Sequence, residues 1–253
     1  MALLETKGLF VQFGGLAAVK DVSFAIEPGE RLALIGPNGA GKTTLFNVLT
    51  GQLKPSAGKV YFKGKDITDS SVYSRTHMGM ARSFQITSLF PYQTVEVNAL
   101  IALQGLQKSR YGIFRYFLKD RALRTTAQGL LESMDLWELR DEIVSSLAYG
   151  QQRKLELALS LASDPELLLL DEPSCGLTTA ESADITSRIR ELGARITVLM
   201  IAHDMDLVFG VAERVILLHY GEIACIGTCD EIRSNEMVRE IYMGSRKSLT
   251  TSR

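Results

Sequence analysis

Short apolar runs alternate with amphipathic stretches along most of the chain. RLALIG, residues 31 to 36, is a continuous apolar run of the buried-strand kind, and KTTLFNVLTG, residues 42 to 51, has the spacing of a helix closed by Gly51. GKVYFKGKDIT, residues 58 to 68, alternates as an exposed hairpin strand does and follows the turn-forming KPSAG. Residues 94 to 143 read as mostly helical and, being rich in Arg and Tyr, as a separate lobe. A helix over 151 to 162 is closed by Asp164-Pro165, and strands are expected over 167 to 171, 196 to 202 and 214 to 218, with a helix over 180 to 192. Strands that alternate with helices predict an α/β fold, a mostly parallel sheet wrapped by helices. A small antiparallel β part and a helical lobe inserted at about 94–155 complete the expectation of one domain over 1–244. No internal repeat interrupts the pattern, and the polar end SRKSLTTSR, 245–253, reads as a disordered tail.

Composition removes several function classes. A chain of 253 residues can bury a substantial core, and its 28 basic and 29 acidic residues leave a net charge of -1, without the basic excess of a nucleic-acid surface. Three cysteines are an odd count that argues against a disulfide framework. Cys225 and Cys229 lie four apart, but no His or further Cys follows at ligand spacing, so a metal site there is not expected. MALLETKGLF carries Glu5 inside its apolar run and is not a secretory signal. LLLL and ITVLMIA fall far short of the ~20 apolar residues of a membrane span. Work at a membrane would therefore require other chains to cross it.

Two motifs carry chemistry. GPNGAGKTT, Gly36 to Thr44, satisfies G-x-x-x-x-G-K-[ST] between an expected strand and an expected helix. Gly36, Gly39 and Gly41 allow the backbone to wrap tightly enough for several N–H groups to face phosphate oxygens, and the helix N-terminus adds its dipole. With Pro37, Asn38, Ala40 and Thr44 completing the loop, Lys42 is suited to neutralise the β and γ phosphates, and the Thr43 hydroxyl to face Mg²⁺. The second motif is LLLLDEP, residues 167 to 173, in which an apolar strand delivers two adjacent carboxylates at its C-terminal end, where ligands of such sheets bind. Asp171 can reach Mg²⁺ and Glu172 can polarise a water in line with the γ phosphate. The pair of motifs predicts a Mg²⁺-dependent nucleoside triphosphatase.

GPNGAGKT, LAYGQ, LLLLDEP and His203 occur in that order over nearly the whole chain, and the ordered set resembles the ATP-binding-cassette ATPases of ABC transporters. The resemblance implies a phosphate-loop ATPase core and a head-to-tail dimer that sandwiches two ATP molecules. Ala148, Tyr149, Gly150 and Gln151 would then face the ATP held by a second subunit, through a helix N-terminus that favours phosphate. Ala148 departs from the serine usual in LSGGQ and lacks its hydroxyl. By the same resemblance Phe13 stacks on adenine, with Phe10 as the competing candidate, Gln85 in ARSFQ reaches Mg²⁺ and the attacking water, and His203 contacts the γ phosphate. Thr178 stands where Asp or Asn is usual in the loop between subunits.

FGGLAAVKDVSF, LAYGQQRKLELA, IAHDMDLVFGVAERVILLHYGEI, YGIFRYFLKDRALR and VREIYMG are similar to one branch of the family, the ATPases of branched-chain amino acid importers. That branch implies two unlike ATPases on the cytoplasmic side of the membrane, two membrane-spanning permease subunits and an external solute-binding protein. Importers of urea and short-chain amides are near relatives. A lipid-type exporter and a soluble cassette ATPase of DNA repair or ribosome work are the other classes. The single cassette, with no room between Lys42 and Asp171 for a long coiled coil, argues against the soluble class.

Overall fold

The structure, a computed structural model, describes residues 1–83, 89–105 and 120–247. Its centre is a six-stranded sheet of order β10-β9-β3-β8-β7-β6. The strands are β3 (Arg31–Ile35), β6 (Met80–Arg82), β7 (Leu167–Asp171), β8 (Thr197–Ile201), β9 (Arg214–His219) and β10 (Glu222–Thr228). All neighbours pair in parallel except β9 and β10, which form an antiparallel edge. A second sheet, order β2-β1-β4-β5, is antiparallel and built from β1 (Leu4–Phe13), β2 (Leu16–Ile26), β4 (Ala57–Phe62) and β5 (Lys65–Asp66). The expected hairpin over 58 to 68 is thus β4 and β5, turned at Lys63-Gly64.

The apolar runs of β3, β7, β8 and β9 divide between two cores because successive side chains of a strand point to opposite faces. Leu32, Leu34, Leu167, Leu169, Leu199, Ile201, Ile216 and Leu218 join one cluster with the antiparallel sheet and Leu45, Phe46, Val48 and Leu49 of α1 (Lys42–Thr50). Their neighbours Ala33, Ile35, Leu168, Leu170, Val198, Met200, Val215 and Leu217 face the other helices. These are α3 (Val95–Gly105), α4 (Arg121–Glu132), α5 (Tyr149–Leu161), α6 (Thr179–Glu191) and α7 (Met205–Val211), preceded in the chain by the short α2 (Val72–His77). α8 (Cys229–Ser234) and α9 (Glu236–Lys247) follow β10.

Several expectations need adjustment. The 94 to 143 stretch contains α3 and α4, but its last part is irregular, with 3-10 turns at Trp137–Leu139 and Val144–Ser146. The helix expected from 151 begins at Tyr149, because Gln151 reaches back from the first turn to the Ala148 backbone N–H. α9 runs through Lys247 and so takes the first three residues expected in the disordered tail, while 248–253 lie outside the described residues. β6 has three residues, too few to show a period in sequence.

Arg75, on α2, is 1% exposed and pins the C-terminal end of α1. Its guanidinium donates to the carbonyls of Val48, Leu49, Ile67, Thr68 and Ser70 at 2.6 to 3.1 Å, and burial lowers its pKa to about 10. Replacing Arg75 by Met would strand these acceptors in an apolar setting. We expect Arg75→Met to lower unfolding free energy by about 3 kcal/mol, measured by urea denaturation, and an unchanged midpoint would remove the pin from the stability argument.

Candidate active site

The phosphate loop joins β3 to α1, and its shape follows from what surrounds it. Gly36 is buried at φ 152°, where a Cβ would collide with the Leu218 carbonyl of the neighbouring strand β9. Gly41 is the N-cap of α1 in a left-handed conformation (φ 101°), and no side chain caps the helix. The first-turn N–H groups are therefore left to a ligand, and the helix dipole favours an anionic one. Lys42 is 6% exposed and donates from Nζ to the carbonyls of Gly36 (2.7 Å) and Pro37 (3.0 Å). Burial lowers its pKa, and the charges of Glu172 and Asp171 oppose that shift, so the ammonium lies within the field of both acids. Asn38, Gly39 and Thr43 are exposed and Thr44 is partly so, whereas Ala40 is buried against the apolar core.

β7 delivers Asp171 and Glu172 to the same end of the sheet. It is flanked by β8 and β6, which explains why all five of its residues are buried. Asp171 is 2% exposed, and its Oδ2 accepts from Arg82 Nη2 at 2.7 Å. Glu172 adopts φ 50°, a left-handed conformation that costs a non-glycine residue about 1 kcal/mol or more. The bond from its N–H to the Ile201 carbonyl (2.9 Å) holds it there, and the strained turn aims the carboxylate away from Asp171's buried position. His203 follows β8, and its Nε2 lies 2.9 Å from Glu172 Oε1. Both line an open cavity of about 680 Å³ that also reaches Cys175 and Thr179.

The LAYGQ stretch opens α5, whose 13 residues end at Leu161. Ala148 is the N-cap and supplies no side-chain bond, so only the Gln151 half of a capping box exists, Gln151 Oε1 accepting from Ala148 N–H at 2.9 Å. The helix start is instead tied to the chain segment after Glu172. Tyr149 Oη donates to the Cys175 carbonyl (3.2 Å) and accepts from Arg153 Nε (3.0 Å). The Glu181 carboxylate packs directly over Gly150, where a Cβ would collide with it, and receives the Gly150 N–H. Glu181 also accepts from the Thr178 N–H (2.9 Å) and hydroxyl (2.8 Å), and these bonds hold its carboxyl below the usual carboxylate range. Thr178 is itself the N-cap of α6, so threonine caps where Asp or Asn would also cap.

Phe13 is 51% exposed at the tip of the β1-β2 hairpin, paired with Leu16, whereas Phe10 lies further down the strand opposite Ala57 and is less open. Ala18, two residues past Leu16, puts its carbonyl against Gly41, which brings the hairpin beside the phosphate loop. Gln85 lies outside the described residues. Two residues escaped the sequence reading. Glu181 was visible as the T-x-x-E capping pattern Thr178 to Glu181. Arg82 had a weaker signal, a lone cation in a short apolar run before Gln85.

Comparison with known proteins assigns the chain to a family. Residues 19–175 match the ABC transporter family. The chain is 39% identical over 251 residues to the high-affinity branched-chain amino acid transport ATP-binding protein LivG of Salmonella typhimurium, covering 96% of this chain and 98% of that one. It is 35% identical over 245 residues to the lipopolysaccharide export system ATP-binding protein LptB of Acidithiobacillus ferridurans, covering 96% and 98%. Among solved structures, the ADP conformation of an ATP-binding cassette of an ABC transporter superposes with a TM-score of 0.87 at 32% identity, over 96% of this chain and 99% of that chain. The fold is that of an α/β phosphate-loop ATPase. The chain belongs to the ABC transporter family, as one of its ATP-hydrolysing cassettes.

Proposed function

We propose that this chain is the ATPase of an importer of branched-chain amino acids, seated on the cytoplasmic side of the membrane against two permease subunits and working with a second, unlike cassette and an external solute-binding protein. The observation that carries the reading is the 39% identity to LivG along 96% of the chain, together with the Gly36 to Thr44 motif set between β3 and α1. No described helix is long and apolar enough to cross a membrane. A cavity of about 220 Å³ between α3 and α5, lined by Leu89, Phe90, Ile101 and Leu159, offers an apolar seat for a permease segment, with Tyr92 exposed nearby. Residues 1–244 are proposed to act as one unit.

In this reading the phosphate-loop N–H groups and Lys42 bind the ATP phosphates, with Phe13 against adenine. Thr43, Asp171 and Gln85 would hold Mg²⁺. The donor set suits that ion: a hydroxyl, a carboxylate and an amide supply hard oxygens, and Mg²⁺ leaves most of its positions to water and phosphate. Bound there, Mg²⁺ supplies neutralisation of phosphate charge. Glu172 takes the proton of the attacking water, and His203, held against Glu172, is placed to orient both that carboxylate and the γ phosphate. The N-terminus of α5, from Ala148 to Gln151, faces the second cassette's ATP. ATP drives transport by binding the closed dimer better than the open one, and hydrolysis resets the clamp.

A second reading, the ATPase of an exporter for a lipid-like cargo, has the 35% identity to LptB in its favour. Uptake of labelled leucine and urea by the source cells, with Lys42→Ala beside wild type, separates the possibilities. Loss of leucine uptake alone is expected. Persistent leucine entry with lost urea uptake would assign the chain to urea import, and persistence of both would favour export.

A further inference from the structure

Arg82, which no motif names, joins Asp171 to the C-terminal part of α1. It lies on β6 opposite Leu169, three residues before Gln85, and only 11% of its side chain is exposed, against 1% for Asp171. The two arms of its fork have separate tasks. Nη2 donates to Asp171 Oδ2 (2.7 Å), while Nη1 donates to Asn47 Oδ1 (2.9 Å) and Gln52 Oε1 (2.6 Å), with Thr50 Oγ1 at 3.4 Å. The guanidinium carbon sits 5.7 Å above the centre of the Phe46 ring. Three of these partners belong to α1 and Gln52 lies two residues past its end, so the cation ties the helix of the phosphate loop to the acid of β7. The backbone repeats the link: Ser83 N–H donates to the Leu169 carbonyl (2.9 Å), and Asp171 N–H approaches Ser83 Oγ at 3.4 Å.

We propose that Arg82 is a positioning residue for ATP hydrolysis, which fixes the Asp171 carboxylate relative to α1 and to the strand that leads into Gln85. The inference rests on the reading of Asp171 as a holder of Mg²⁺. With one carboxylate oxygen engaged by Nη2, the rotation of the group is set, and the other oxygen is presented in one direction. A lysine could neutralise Asp171, but as a single point charge it could not span both Asp171 and the end of α1.

The test is the affinity for a fluorescent ATP analogue, measured in EDTA and across a Mg²⁺ titration, for wild type, Arg82→Gln, Arg82→Lys and Asp171→Asn. In EDTA all four should bind within about twofold of one another, because the phosphate loop is intact. The Mg²⁺ concentration that gives half of the metal-dependent change should rise about 10- to 100-fold in Arg82→Gln, and by a smaller factor in Arg82→Lys. Wild-type Mg²⁺ dependence in Arg82→Lys, with Asp171→Asn impaired, would reduce Arg82 to a counter-charge and overturn the proposal. That variant alone decides the matter if Arg82→Gln does not fold. A Mg²⁺ response kept in Asp171→Asn would overturn the reading of Asp171 itself, and a lower melting temperature with unchanged Mg²⁺ dependence would make Arg82 structural only.

Discussion

Glu172→Gln is expected to lower ATP turnover by about 100-fold or more while leaving ATP bound. Glutamine matches glutamate in size and can still accept the His203 contact, now at 2.9 Å from Oε1, but it cannot take a proton from water. The left-handed backbone at residue 172 and its bond to the Ile201 carbonyl do not depend on the side-chain charge, so the turn should persist. Removing an acid also removes one of the two charges that oppose the burial-driven lowering of the Lys42 pKa, but Asp171 remains. ATP affinity should accordingly fall little, and the ATP-bound dimer should accumulate. Single-turnover hydrolysis beside equilibrium binding checks both halves. Near-normal turnover would transfer the general-base role to another group, with His203 the first to examine.

Lys42→Ala acts on the other side of the reaction. Its ammonium is nearly enclosed, donates to two loop carbonyls and lies within the field of two carboxylates. Alanine removes charge-assisted bonds to phosphate, and with the acids left in place the local field becomes repulsive to an anion. We expect ATP affinity to fall by about 100-fold, the equivalent of losing one to two hydrogen bonds to a charged group. Circular dichroism should show the fold retained, since the cluster beneath α1 is made by Leu45, Phe46, Val48 and Leu49. Wild-type ATP affinity in a folded Lys42→Ala protein would sink the assignment of the loop.

The turn from β3 into α1 was legible because its signal is contiguous. A strand, three glycines, a lysine and a threonine occupy one short run, and the tight turn and the helix start they dictate are local. The strands β3, β7 and β8 were legible for a related reason: strands buried on both faces read as unbroken apolar runs. β6 and α2 carry no such signal, being three and six residues long, and their residues are held by partners far away in sequence. Arg75 reaches Val48 from 27 positions away, and Arg82 reaches Asp171 from 89.

The missing hydroxyl at Ala148 shows the same division. Sequence comparison with LSGGQ exposes a lost hydrogen-bonding group, but only the packed structure shows what stands at that helix start: Glu181, from a different helix, over Gly150 and bonded to Thr178. Of the two departures, Thr178 meets that carboxylate directly, whereas the Ala148 N–H goes to Gln151 Oε1.

Sequence alone determined the class of chemistry and the α/β architecture, because backbone geometry, helix capping and strand burial act over a few neighbouring residues. The tertiary structure decided which side chains answer one another: Glu172 with His203, Asp171 with Arg82, Gly150 with Glu181. Those pairings depend on strand order and register, which arise when separate segments bury their apolar faces together and bring distant polar groups to a common edge.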